Sequence, residues 1–318
     1  MSATTMADRV EEYLAYRRAL GYQLRIAGQL LRSFARYADD SGHRGPLTTD
    51  LALRWARVPE RATRRYQARR LDLVRGLARY LDPREPGTEV PPRGLLGPSR
   101  SCRTAFIFAE ADVAALIEAA RSLAPADGLR PRTYAALVGL MACTGLRITE
   151  ALTLVTGDVD LEAGVLTVRR TKFHKSRLVP LHPSAIGPLR DYAAARDRRH
   201  PAPRDTAFFV SDAGRRLPYG TVRHTFHRLL LQALLGAVPS GRARPRLHDL
   251  RHTFACRRLM AWYRDEADID RAIDRLSTYL GHAKVTDTYW YLTGVPELLA
   301  LAGRRFEQFV APIPGGAP

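Results

Sequence analysis

The stretch His248-Asp-Leu-Arg251-His252 opens an apolar run carrying Phe254, Leu259, Met260 and Trp262 at helical spacing. Two imidazoles and a guanidinium within five residues put several anion-seeking donors at the start of one helix. Further on stands Leu280-Gly281-His282, and nine residues after that histidine comes Tyr291, in Asp287-Thr-Tyr-Trp-Tyr-Leu-Thr293. Upstream, Thr144-Gly-Leu-Arg147 reads as a turn opening a helix, where free backbone amides also favour an anion. Glu150 follows three residues later and can pair with Arg147.

The rest of the chain is read from these motifs outward. Helical patterns run over Glu110 to Arg121, Thr133 to Cys143, Pro183 to Arg198, 218 to 236, 248 to 262 and 269 to 280. Val165 to Val168 and Arg177 to Leu181 read as two strands of a hairpin, and Phe208-Phe-Val210 as a further short strand. Residues 1–82 read as four helices, with Thr49 as the N-cap of the third. Five prolines and three glycines in the next stretch predict an extended linker, set at 83–104. The expected architecture is mainly α with a small antiparallel β-sheet in the second domain, 105–311, followed by a disordered tail, 312–318.

A net charge of +18, from 50 Lys plus Arg against 32 Asp plus Glu, calls for a polyanionic partner such as nucleic acid. Arg64, Arg65, Arg69 and Arg70 interleave with the apolar positions of the fourth helix and are the first candidates for backbone phosphate contacts. Lysine occurs only at 172, 175 and 284, so Lys172 and Lys175, between the two strands, stand out. The hydrophobic content of 46% suits a folded core and excludes disorder. Three separated cysteines imply no disulfide framework, and no apolar run approaches the roughly 18 to 20 residues that span a bilayer. With no signal-peptide pattern at residues 1–8, the expected location is cytoplasmic and nucleoid-associated.

Breaking a phosphodiester without a metal needs a nucleophile, cations for the growing charge, and an acid for the leaving oxygen. The ordered set Arg147, Lys172, His248, Arg251, His282 and Tyr291 supplies all three and resembles the tyrosine recombinases, the phage integrase family. That resemblance implies a two-domain DNA clamp acting at specific sites on double-stranded DNA, four copies at a time, without cofactor or metal. It implies Tyr291 as nucleophile, with Tyr289 as the fallback, and Lys172, before Val179-Pro-Leu181, as the acid rather than Lys175. Arg147, Arg251, His248 and His282 would hold the phosphate, Glu150 would orient the site, and His252 would be a structural neighbour. An amphipathic segment over 295–311 would pack in its own domain or on a neighbouring copy.

Three readings compete with strand exchange. A type IB topoisomerase would use the same residues and rejoin the original ends. A non-catalytic DNA-binding protein would share the fold alone. A zinc hydrolase would use His248 and His252 at HExxH spacing, but Asp249 stands where that motif has its glutamate, and Arg251 would put a cation beside the metal. Thr286-Asp-Thr-Tyr-Trp before Tyr291 is nearer to the integrase-like transposases of mobile elements.

Overall fold

The computed structural model describes residues 4–99, 105–169, 176–202, 204–233, 244–282 and 284–293, together with 300 and 303. The chain divides into two compact units, Met1–Arg103 and Thr104–Pro318. Lys172, Lys175, the segment 295–311 (its residues 300 and 303 apart) and the tail 312–318 lie outside the described residues.

The first unit holds α1 (Met6–Ala19), α2 (Arg25–Asp40), α3 (Thr49–Arg57) and α4 (Arg64–Leu81). A capping box of Thr5 and Asp8 starts α1. The N-cap of α3 is Thr48 rather than Thr49. Thr48 has the extended backbone a cap requires, and its hydroxyl accepts from the Leu51 amide, whereas Thr49 is already helical. Phe34 and Trp55, both fully buried, meet edge to face at 5.4 Å in the centre of the unit.

Two arginines of α4 face this interior. Arg70 lies over the Trp55 ring at 3.7 Å and donates to the Trp55 carbonyl at 2.8 Å. Arg75 donates to the carbonyls of Pro91 and Pro92, both at 2.7 Å. The proline-rich stretch read as a linker thus makes contacts with the helices of this unit. Leu96 is buried, and the Glu89 amide donates to the Leu47 carbonyl.

The second unit begins with α5 (Glu110–Arg121), α6 (Arg130–Thr144) and α7 (Ile148–Thr153). A three-stranded antiparallel sheet follows, β1 (Val159–Asp160), β2 (Val165–Val168) and β3 (Arg177–Pro180), with Val165 opposite Pro180 and Val168 opposite Arg177. Then come α8 (Pro183–Arg199), α9 (Tyr219–Ala233), α10 (Leu247–Arg264), α11 (Ile269–Leu280) and α12 (Thr286–Thr293). The mainly helical fold with its small sheet is as the sequence predicts, apart from the two-residue β1, too short to leave a periodic signal.

α6 packs against α5, α8 and α10, so Leu137, Leu140 and Met141 have no face left for solvent. Phe208-Phe-Val210 is not a strand. Only isolated bridges flank it, at Ala207 and Val210, and both Phe rings are buried around Tyr192. A short apolar run cannot by periodicity alone tell a strand from a core plug, and here it is a plug.

Candidate active site

The site is assembled on the C-terminal end of α11. A helix leaves its last carbonyls unpaired and carries partial negative charge there. Gly281 closes α11 in left-handed backbone, φ +67°, and three guanidinium groups from three other elements meet the carbonyls. Arg177, at the start of β3, donates to Tyr279 O at 2.8 Å. Arg251, on α10, donates to Leu280 O at 2.8 Å, and Arg147, the residue before α7, donates to Gly281 O at 3.1 Å. The other arm of Arg251 reaches Gly145 O, the cap of α6, at 2.8 Å.

Glu150 lies beneath the arginines and is buried. Its Oε1 accepts from Arg147 Nη1 at 2.7 Å, and its Oε2 from the Arg147 amide at 3.0 Å and Arg177 Nη2 at 2.8 Å. Burial alone would raise the carboxyl pKa. The bonds and charge of Arg177, then those of Arg147, outweigh it and hold the group below the usual range. Glu150 is thus ionised and shared between two cations.

Tyr291 sits 3% exposed on α12, within the field of the Arg251 guanidinium. Burial raises its phenol pKa and the Arg251 charge opposes that rise. The His252 ring meets it edge-on at 5.3 Å, and the His282 ring stacks beside it at 5.9 Å. His282 Nδ1 is 2.7 Å from the buried hydroxyl of Thr288. His248 meets His252 at 4.6 Å and keeps an exposed edge.

All three imidazoles are depressed, first by desolvation. His248 falls to about 4 with help from Arg251, Arg246 and Arg147. His252 falls to about 3, with His248 and the arginines adding to the effect, and His282 to about 4 beside Arg251 and Arg147. They are neutral at pH 7, so the positive charge of the site resides in its arginines.

The structure brings together Arg147, Glu150, His248, Arg251, His252, His282 and Tyr291. Tyr289 is 45% exposed and turned to solvent. In the first unit Arg64, Arg65 and Arg69 are exposed on α4. Arg70 is corrected: it is 7% exposed and committed to Trp55, so it is no part of a surface stripe. Among the described residues, no three or more His, Cys, Asp or Glu are grouped to hold a metal, and no helix is long and apolar enough to cross a membrane. Sequence reasoning missed Arg177 and Thr288. Arg177 read only as the edge of a strand, with its partner 27 residues away in the chain.

A buried tyrosine against an arginine anchored to two helix ends, on a mainly helical unit with a small antiparallel sheet, defines a class of enzymes that break and rejoin DNA. Residues 107–295 match the phage integrase family, and the chain belongs to it. It is 45% identical over 314 residues to y4rB of Sinorhizobium fredii, described as an integrase/recombinase, covering 96% of this chain and 98% of that protein. The tyrosine recombinase XerC of Chlamydia caviae is 26% identical over 236 residues, 74% of this chain and 69% of that one. The fold is shared with the Tn1549 transposon integrase in complex with transposon right end DNA, with TM-score 0.69 and 15% identity over 96% of this chain and all of that one. It is also shared with the XerH site-specific recombinase bound to a palindromic difH substrate, with TM-score 0.63 and 18% identity over 88% and 79%.

Proposed function

We propose that this protein is a site-specific recombinase that cuts and rejoins DNA through a 3′ phosphotyrosine formed on Tyr291. The observation that carries this is the buried Tyr291 side chain under the charge of Arg251, which is itself fixed to the ends of α6 and α11. The Tyr291 oxygen attacks the scissile phosphorus, and the bond from phosphorus to the 5′ oxygen breaks. Arg147 and Arg251 carry the charge that builds on the phosphate oxygens, as planar forks suited to that geometry. His248, neutral at pH 7, accepts the phenol proton, and His282 adds a phosphate hydrogen bond. Lys172 donates a proton to the departing 5′ oxygen. Attack by the 5′ hydroxyl of a partner strand then releases Tyr291, so bond energy is conserved in the ester and no nucleotide cofactor is needed.

The working unit is four copies on two duplexes, with residues 1–82 as the core-binding domain and 105–311 as the catalytic domain. Exposed Arg64, Arg65 and Arg69, with Lys175, hold backbone phosphates. The name y4rB and the transposon neighbour support integration, excision or transposition of a mobile element as the outcome.

The test is covalent trapping. A duplex selected for binding from fragments of the host's DNA is nicked near its centre and incubated with wild-type, Tyr291→Phe and Tyr289→Phe proteins. An adduct on denaturing gels that only Tyr291→Phe loses supports the reading. A bound duplex that yields no adduct with wild type sinks it. Exchange between two labelled duplexes separates recombination from strand relaxation.

A further inference from the structure

Arg177 belongs to none of the roles above, yet its side chain is only 11% exposed and makes directional bonds to two other elements. Its Nε donates to Tyr279 O at 2.8 Å, and its two terminal nitrogens meet Glu150 at 3.2 and 2.8 Å. With the Arg147 side chain and amide, this gives the Glu150 carboxylate four donors, as many as its lone-pair sites accept. One carboxylate cannot neutralise two guanidinium groups. The trio keeps one net positive charge, and Arg147, at 31% side-chain exposure, is the member open to an incoming anion.

The contact with Tyr279 ties this arrangement to the chain segment on which Arg251, Arg147 and His282 converge. The fit there has no slack, since a Cβ on Gly281 would lie 2.6 Å from Arg177 Nη1. Without Arg177, Glu150 would cancel the charge of Arg147, lose two of its donors and be free to turn.

We propose that Arg177 is a positioning residue for DNA cleavage, holding Glu150 and the end of α11 so that Arg147 presents its charge to the scissile phosphate. This rests on the reading of Arg147 as a phosphate clamp. A merely structural ion pair would lower stability and leave the chemical step alone at saturating DNA.

The experiment uses the full chain and the same selected, nicked duplex. Adduct formation is followed in single turnover at saturating DNA, with Kd and Tm measured alongside, for Arg177→Gln, Arg177→Lys, Glu150→Gln and the double variant Arg177→Gln/Glu150→Gln. Arg177→Gln should slow adduct formation on the order of 100-fold, with Kd changed less than about threefold because the phosphate contacts across the rest of the duplex remain. Arg177→Lys, which keeps the charge and loses the fork, should recover part of that rate. The double variant should be no slower than Arg177→Gln, because both changes cut one chain of contacts.

Unchanged rates in the Arg177 variants, or losses that multiply in the double variant, would overturn the proposal. Should Arg177→Gln fail to fold, a slowed Arg177→Lys with wild-type Tm sustains it and a wild-type rate overturns it. No adduct from wild type removes the catalytic reading and this inference together, whereas a normal wild-type adduct with normal Arg177 variants removes this one alone.

Discussion

The Thr288 hydroxyl lies 2.7 Å from His282 Nδ1, on the helix that carries Tyr291 and one turn before it. Thr288 is fully buried. A hydroxyl that donates to Nδ1 leaves the single proton of neutral His282 on Nε2, and that is the tautomer we expect here. That tautomer gives His282 an N–H to offer a phosphate, and the Thr288 hydroxyl on α12 holds it in place.

Replacing Thr288 by the isosteric Val should remove this control without opening a cavity. We expect Thr288→Val to slow adduct formation about two- to threefold, since one phosphate donor is lost for part of the population. Thr288→Ser should restore it. Nitrogen NMR of the histidines gives an independent check, with the His282 Nε2–H tautomer dominant in wild type and mixed in Thr288→Val. An unmixed spectrum in the Val variant would sink the assignment.

Arg69 and Arg70 are neighbours in sequence and opposites in effect. Arg69→Ala should weaken DNA binding and lower the slope of log K against log salt by about 1, the mark of one lost phosphate contact. Arg70→Ala should leave that slope unchanged and cost about 2 kcal/mol of stability, by losing the stack on Trp55 and its carbonyl bond. Salt titrations of binding, with urea unfolding of both variants, separate the two.

That pair shows where sequence reading stops. The stripe on α4 is legible as helical spacing, but one residue is 100° of rotation, enough to move an arginine from solvent onto a tryptophan. Arg147, His248, Arg251, His282 and Tyr291 could be read because short motifs that resemble those of the phage integrase family carry them. Arg177 could not, because its partners are a glutamate 27 residues earlier and a backbone carbonyl 102 residues later. A carbonyl acceptor leaves no residue type in the sequence to look for. Phe208 and Phe209 failed as a strand for a related reason, since burial around Tyr192, and not pairing, fixes them.

The depressed histidines make stability pH-dependent in a stated direction. His248, His252 and His282 stay neutral in the folded chain down to about 4, 3 and 4, whereas unfolded imidazoles protonate near 6.5. Between those limits the unfolded state binds more protons. The stability these groups contribute is complete above pH 6.5 and is lost as pH falls towards 4. His252, being buried, should dominate, while solvent discounts His248. Urea unfolding at pH 7, 6 and 5 should show stability falling by about 1 kcal/mol per pH unit, and His252→Gln should flatten the fall. An unchanged slope in that variant would contradict the assignment.

The two helix-ending glycines should respond differently to the same small change. Gly145 and Gly281 both occupy left-handed backbone, at φ +61° and +67°, so an added Cβ costs about 1 to 2 kcal/mol at either. At Gly145 the Cβ would also lie 2.6 Å from the ring of Phe254, a half-buried side chain stacked on Tyr279 and packed against the core. Gly145→Ala should therefore lose the larger share of stability, about 3 kcal/mol in all, with cleavage falling along with the folded fraction. At Gly281 the obstacle is the tip of Arg177, which can swing away at less cost to the fold but only by releasing Glu150 and Tyr279. Gly281→Ala should keep most of its stability and lose adduct formation at saturating DNA. Tm and single-turnover adduct rates on both variants test this. Equal rates per folded molecule would mean that the end of α11 tolerates displacement, and that the three arginines on it are not held as tightly for chemistry as their bonds imply.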